Sequence, residues 1–129
     1  MIFSEAFACY GAKLRNIQWA VSTIHEDQLI VSCWQHKFTS LGNRTLAYED
    51  HLSRFSGLGN KLLREHLETA FKDKLPVRAV IAKSSNPAAV DAGEDASKYK
   101  NTFSVKKNWL GEISDFDGDF FRIVFREST

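Results

Sequence analysis

The stretch Lys98-Tyr-Lys-Asn-Thr-Phe-Ser-Val-Lys-Lys-Asn-Trp109 sets Lys98, Lys100, Lys106 and Lys107 among Tyr99, Phe103 and Trp109. Ammonium groups neutralise phosphates and release counterions, and exposed aromatic faces stack on bases. Together they point to a non-catalytic nucleic-acid-binding segment, with DNA as first choice of partner and RNA as second. The competing explanation is an edge strand whose lysines deter unwanted pairing and whose aromatics are core. Phe103 and Trp109 are expected inside on either view, which leaves Tyr99 as the stacking residue. Trp34-Gln-His-Lys-Phe38, followed by Gly42-Asn-Arg44, adds polar groups at the exit of a strand, where binding loops often sit. His36 and Lys37 would meet an anion there, and Arg44 offers a bidentate fork. The expected contact set is thus Lys98, Tyr99, Lys100, Lys106, Lys107, His36, Lys37 and Arg44.

Other chemistries fit the spacing less well. Asp115, Asp117 and Asp119 alternate as at the start of a calcium loop, but Phe120 stands where such a loop turns on glycine and Arg126 where it closes on glutamate. His25, His36, His51 and His66 show no zinc spacing among themselves, so no metal or cofactor is expected. Gly57-Leu-Gly-Asn-Lys61 precedes a helix yet lacks the Walker spacing and a Ser or Thr after the lysine. No nucleophile motif is present, so the sequence leans away from an enzyme. A catalytic reading would use His36 or His51 as general base, with Arg44 or Arg54 stabilising negative charge.

These groups have one core to hold them, since 129 residues suit a single domain, here 1–129. Hydrophobic residues at 43% and charged residues at 26% are those of a globular chain. No apolar run reaches membrane-spanning length, and the first residues lack a basic leader and an apolar core, so a cytoplasmic protein without a membrane partner is expected. Cys9 and Cys33 read as free thiols. The net charge of +1 hides a contrast: residues 76–108 carry a local +3 and residues 109–129 a local −3. That contrast supports a second function, a protein-interaction or self-associating module meeting head to tail or as a homodimer.

The positioning elements follow from periodicity. Phe3, Phe7, Tyr10 and Leu14 predict a short helix over about 4–11. Ile17–Ile24 and Gln28–Phe38 predict a hairpin, in one of two registers because its turn has no glycine. Tyr48, Leu52 and Phe55 suggest a short helix capped by Thr45. Asn60 predicts the cap of a main helix over 61–74, with Leu63, Leu67, Ala70 and Phe71 inward and Pro76 beyond its end. Val77–Lys83 reads as a central strand, 84–101 as a flexible surface loop and Thr102–Val105 as a strand. Asp115-Phe-Asp-Gly118 predicts a three-residue hairpin loop with Gly118 at positive φ. That loop pairs Ile113 with Phe121 and Trp109 with Phe125, and puts Trp109, Ile113, Phe121, Ile123 and Phe125 on one face. The fold class is therefore α+β, a mostly antiparallel sheet of two hairpins plus a central strand with one main helix packed on it.

Tyr10-Gly-Ala-Lys-Leu-Arg-Asn-Ile-Gln-Trp19, then Val31-Ser-Cys-Trp34, Gly59-Asn60 and Val77-Arg-Ala-Val-Ile-Ala-Lys83, resembles a pattern in a set of small uncharacterised bacterial proteins. The resemblance covers roughly residues 7–83. It implies a bacterial or phage cytoplasmic setting and no particular chemistry.

Overall fold

Glu26 and Asp27 both take left-handed backbone angles, φ 49° and 59°, and close a two-residue turn between β1 (Ser22–His25) and β2 (Gln28–Trp34). Such turns need positive φ at both central residues and usually recruit Asn-Gly. Two acids do it here, which is why the register is not readable from the turn alone. His25 pairs with Gln28 and Ser22 with Val31. The computed structural model describes residues 1–16 and 18–128. Ile17, expected to open the first strand, and Thr129 lie outside the described residues. Trp19, which either register would carry into the strand, precedes β1.

Asn43 and Arg44, φ 50° and 57°, repeat the device between β3 (Phe38–Gly42) and β4 (Thr45–His51). The helix expected from Thr45 to Phe55 is therefore absent. Tyr48 and Leu52 are four apart, as on a helix, but Tyr48 and Asp50 alternate with exposed Glu49 and His51 as on a strand. β4 pairs along its length with β8 (Phe120–Glu127), from Thr45 opposite Arg126 to His51 opposite Phe120.

The main helix, α2, spans Leu58–Asp73 and starts earlier than Asn60. Asn60 is no cap. Buried in the first turn, its amide donates to the carbonyl oxygens of Leu52 and Phe55 and satisfies the 3-10 turn Leu52–Arg54 that leads into the helix. Gly59 sits where a Cβ would strike the Trp19 carbonyl oxygen, so the helix start and the Trp19 backbone approach closely. Leu63, Leu67 and Ala70 are buried as expected, while Phe71 is 41% exposed and packs edge-on with Phe116. Lys74 ends the helix in the left-handed region, two residues before Pro76.

β5 (Val77–Ser84) is the buried central strand. It runs parallel to β2 on one side. On the other it is antiparallel to β6 (Asn101–Val105) and, at Val77 with Gly111, to β7 (Trp109–Phe116). The stretch expected as a loop over 84–101 carries α3 (Pro87–Asp91), whose Ala89 N–H is capped by the Asn86 side chain and whose Ala89 and Val90 are buried. A 3-10 turn, Ala96–Lys98, follows.

In the C-terminal hairpin the expected face is right and the register is two residues off. Phe116 faces Phe121, and a bulge between Ile113 and Asp115 sets Ile113 opposite Ile123 and Gly111 opposite Phe125. An even slip leaves every side chain on its own face, so Phe121, Ile123 and Phe125 are core. Asp117 accounts for the difference: its Oδ1 accepts from the N–H groups of Asp119 and Phe120, tightening the loop onto Gly118 (φ 98°) and Asp119. At Gly111 a Cβ would come within 2.6 Å of the Phe125 ring, which lies across the bare backbone.

The eight strands form one sheet in the order β1-β2-β5-β7-β8-β4-β3, with β6 also on β5. All pairs but β2–β5 are antiparallel. The sheet curls around α2: although β2 and β4 are well apart in this order, the Trp34 N–H of β2 donates to Tyr48 Oη of β4 at 3.1 Å. One core lies between α2 and the concave face, with Leu29, Val31, Leu67, Val77, Phe121 and Phe125 in it. A second lies on the other face, where α1 (Phe3–Ala8) seats Phe7 over Ile30 and Val80. This is an α+β single domain. Among the described residues no helix is long and apolar enough to cross a membrane.

Candidate functional site

β1 stops short of the end of β2. Past the Ser22–Val31 pair, the Ser32 N–H still finds the Val21 carbonyl oxygen at 2.9 Å, but the next outward N–H, that of Trp34, has among the described residues only the Tyr48 hydroxyl. A cleft lies beside this unpaired edge. One chamber, about 150 Å³, is walled by Trp34, Tyr48, Phe55, Leu63 and Phe121, with Asp50, Arg54 and Ala96 at its polar side. A second, about 170 Å³, is walled by Phe3, Trp19, Ala82 and Phe103, with Asn101 among them. Val21, Ser32 and Trp34 line both, so the Trp34 indole stands between two halves of one aromatic cleft.

A charged knot fastens the first chamber. Asp50, 6% exposed, takes Arg54 as a fork: Nε at 2.9 Å from Oδ1 and Nη2 at 2.8 Å from Oδ2. Arg54 Nη1 donates to the Val90 carbonyl oxygen at 3.0 Å, and its guanidinium lies 4.8 Å from the centre of the Phe55 ring. Lys37 Nζ bridges Asp50 at 3.7 Å and Asp91 at 3.1 Å, and His36 Nε2 is 2.8 Å from the same Asp91 oxygen. The knot joins β4, α3 and the 3-10 turns Gln35–Lys37 and Leu52–Arg54. Burial alone would lower the Arg54 pKa, but hydrogen bonds and charge from Asp50 outweigh it and raise it. The hydrogen bond from His36, helped by Lys37, holds Asp91 below the usual carboxylate range. Burial pushes the Tyr48 phenol and the Cys33 thiol well up, so both stay protonated at neutral pH.

The structure divides the expected contact residues into groups. Lys98, Tyr99 and Lys100 lie at the start of β6, next to the cleft: Ala96 lines the first chamber and Asn101 the second, and Asn101 Nδ2 donates to the Ala96 carbonyl oxygen. Lys100 shares a surface depression with Lys83 and Thr102. The Tyr99 ring is half-buried, its hydroxyl donating to Glu94 at 3.1 Å. His36 and Lys37 are at this end too, committed to Asp91 and Asp50. Lys106 and Lys107 lie beyond the other end of β6. Arg44 belongs with them, since its carbonyl oxygen accepts from the Glu127 N–H and the neighbouring Ser128 N–H donates to Asn108.

The groups considered for catalysis come together only in part. His36 and Arg54 share the knot, His51 bonds Asp119 at 3.1 Å, and Arg44 is in the β3–β4 turn. Asp119 also accepts from the Ser53 N–H at 2.6 Å and from its hydroxyl at 3.1 Å, pinning the hairpin loop to the turn Leu52–Arg54. The backbone bond from Ser53, ahead of those from its side chain and His51, lowers the Asp119 pKa. Ser53 thus donates to a carboxylate of lowered basicity, a poor base for activating its hydroxyl. Ser22 Oγ is 2.8 Å from His66 Nδ1, but Ser22 is fully buried and out of reach of a substrate. Among the described residues no three His, Cys, Asp or Glu side chains are gathered to hold a metal ion.

Sequence reading missed Ser32, Trp34, Tyr48, Asp50 and Asn101 as site residues, and named Arg54 only as a partner of a catalytic histidine. One signal was available: in a strand reading of 45–51, Asp50 falls on the inward parity of Tyr48 and needs a buried partner, and Arg54 is the first arginine after it. Comparison with protein-family models, curated proteins and solved structures finds no match.

Proposed function

We propose that this protein is a non-catalytic nucleic-acid-binding module, with DNA as the first candidate, that uses the cleft end of β6. The observation that carries the reading is the open aromatic cleft beside the turn bearing Lys98, with Lys100 and Lys83 at the same end of the sheet. Lysines beside stacking surfaces are the two parts that single-strand binding needs. Binding without chemistry is supported by the state of the reactive groups: Tyr48 and Cys33 are held protonated and the Asp50 carboxylate is spent on Arg54 and Lys37. A reducing, cytoplasmic setting belongs to the same proposal, because Cys9 and Cys33 are both free thiols.

The test is fluorescence anisotropy of a labelled single strand and a labelled duplex titrated with the protein at low salt. Expected is binding that weakens steeply between about 50 and 200 mM salt. Absence of binding to either form at the lowest salt would refute the proposal. A salt-sensitive dimer seen by light scattering in that case would favour self-association.

A further inference from the structure

We infer that the first chamber of the cleft receives one unstacked pyrimidine base, held by its carbonyl oxygens; this rests on the nucleic-acid reading above. Size comes first. A void of about 150 Å³ holds a single benzene-sized ring, and the chamber has that volume. Its walls include the aromatic side chains of Trp34, Tyr48, Phe55 and Phe121, the kind of surroundings in which proteins hold a base taken out of its stack.

The polar atoms decide which base. Tyr48 is 2% exposed, and among the described residues its hydroxyl makes one hydrogen bond, as acceptor from the Trp34 N–H. A phenol that only accepts still has its own proton to give, and the residue lines the chamber. Ser32 lines it too, with a hydroxyl bonded to no described residue. Arg54 uses three of its five N–H donors on Asp50 and Val90 and keeps two. The one acid present, Asp50, is already saturated by Arg54, Lys37 and the His51 N–H. The chamber therefore offers donors and asks for acceptors. Thymine, uracil and cytosine present ring carbonyls of that kind; adenine has none and is larger. Asn101, whose buried Oδ1 has no partner among the described residues, lines the adjoining chamber and would take a donor from the next sugar or base. Lys98 and Lys100 would meet the phosphates on either side.

The experiment compares oligo-dT with oligo-dA in the anisotropy assay, using wild type, Tyr48→Phe and Ser32→Ala. Tyr48→Phe removes the unspent donor but also the acceptor for Trp34, so a thermal melt accompanies it. Ser32→Ala removes a hydroxyl the fold does not use and serves where the first variant is unstable. Expected is a wild-type preference for oligo-dT of about tenfold, falling to about threefold or less in either variant, with oligo-dA binding unchanged. A preference that survives both substitutions reflects the easier unstacking of dT and overturns the inference, as does equal wild-type binding of the two strands. Either result leaves the nucleic-acid reading standing on its lysines. Failure of both strands to bind overturns this inference, and the nucleic-acid reading falls with it when the duplex is not bound either.

Discussion

The two ends of β6 carry the same residue types and use them differently. At the Asn101 end, Lys98 and Lys100 flank an aromatic cleft, and the neighbouring charges of Lys37, Asp50 and Arg54, with exposed Asp91, are locked into one network. At the Val105 end the aromatic partner, Trp109, is turned inward onto Phe38 and Phe125, with ring centres at 5.7 and 6.1 Å. The inward-reaching charge there is Arg78, and it serves the backbone: Nη1 donates to the carbonyl oxygens of Lys107 at 2.8 Å and Trp109 at 3.0 Å. The adjacent depression, lined by Cys9, Tyr10, Gln28, Arg78 and Lys107, has one aromatic side chain, whose hydroxyl is bonded to the Ala79 carbonyl oxygen. Lysines near aromatics mark a binding surface only where the rings stay open. Sequence spacing does not say which rings those are.

If this contrast is right, the largest cost comes from opening the knot. Asp50→Ala strands Arg54 and Lys37 as poorly compensated charges, and a loss of about 3–5 kcal/mol is expected in a denaturant melt. At the other end Arg78→Met leaves two carbonyls and the Gln28 side chain short of a donor, which should cost about 1–3 kcal/mol. A larger loss for Arg78→Met than for Asp50→Ala would reverse the comparison. Gly111→Ala, which forces the Phe125 ring off the β7 backbone, should cost about 1–3 kcal/mol by overpacking. A neutral result there would mean that the ring does not cover the strand.

A pH series gives a smaller effect. Burial, opposed by the charge of Glu65 and helped to a smaller extent by Arg15, lowers the pKa of His66, which is bonded to Ser22 one residue from the cleft wall. A histidine whose folded pKa is lowered takes up its proton first in the unfolded chain. Stability is therefore full above the ordinary histidine pKa, falls as pH drops through it, and levels off below the folded value. The melting temperature should fall between about pH 7.5 and pH 5.5, and less so in His66→Gln. An equal fall in the variant would assign the titration elsewhere. The smallest effect is expected for Lys106→Ala/Lys107→Ala, within about 0.5 kcal/mol of wild type, since both side chains are exposed and make no ion pair with a described residue.

The sheet and main helix were legible because their signals are local. Val77–Lys83 is mostly apolar, α2 repeats Leu63, Leu67 and Ala70, and alternation fixes the inward face of Phe121, Ile123 and Phe125. Errors arose where two local patterns competed. Tyr48 and Leu52 suit a helix as well as a strand end, and only pairing with β8 settles it. Asp115 and Asp117 could each have tightened the C-terminal loop, and the choice of Asp117 moved the register by two. The cleft was not legible for a different reason. Ser32, Trp34, Tyr48, Arg54 and Asn101 come from four strands or turns that meet only because the sheet curls, and no spacing along the chain encodes that meeting.

The salt dependence of single-strand affinity tests the central contrast most directly, measured for wild type, Lys98→Ala/Lys100→Ala and Lys106→Ala/Lys107→Ala. Each lost phosphate contact should reduce the slope of log affinity against log salt by about one. Expected is a slope shallower by about one to two for the cleft-end pair and unchanged for the other pair. A slope that drops only for Lys106→Ala/Lys107→Ala, or for neither pair, would contradict a binding surface at the cleft.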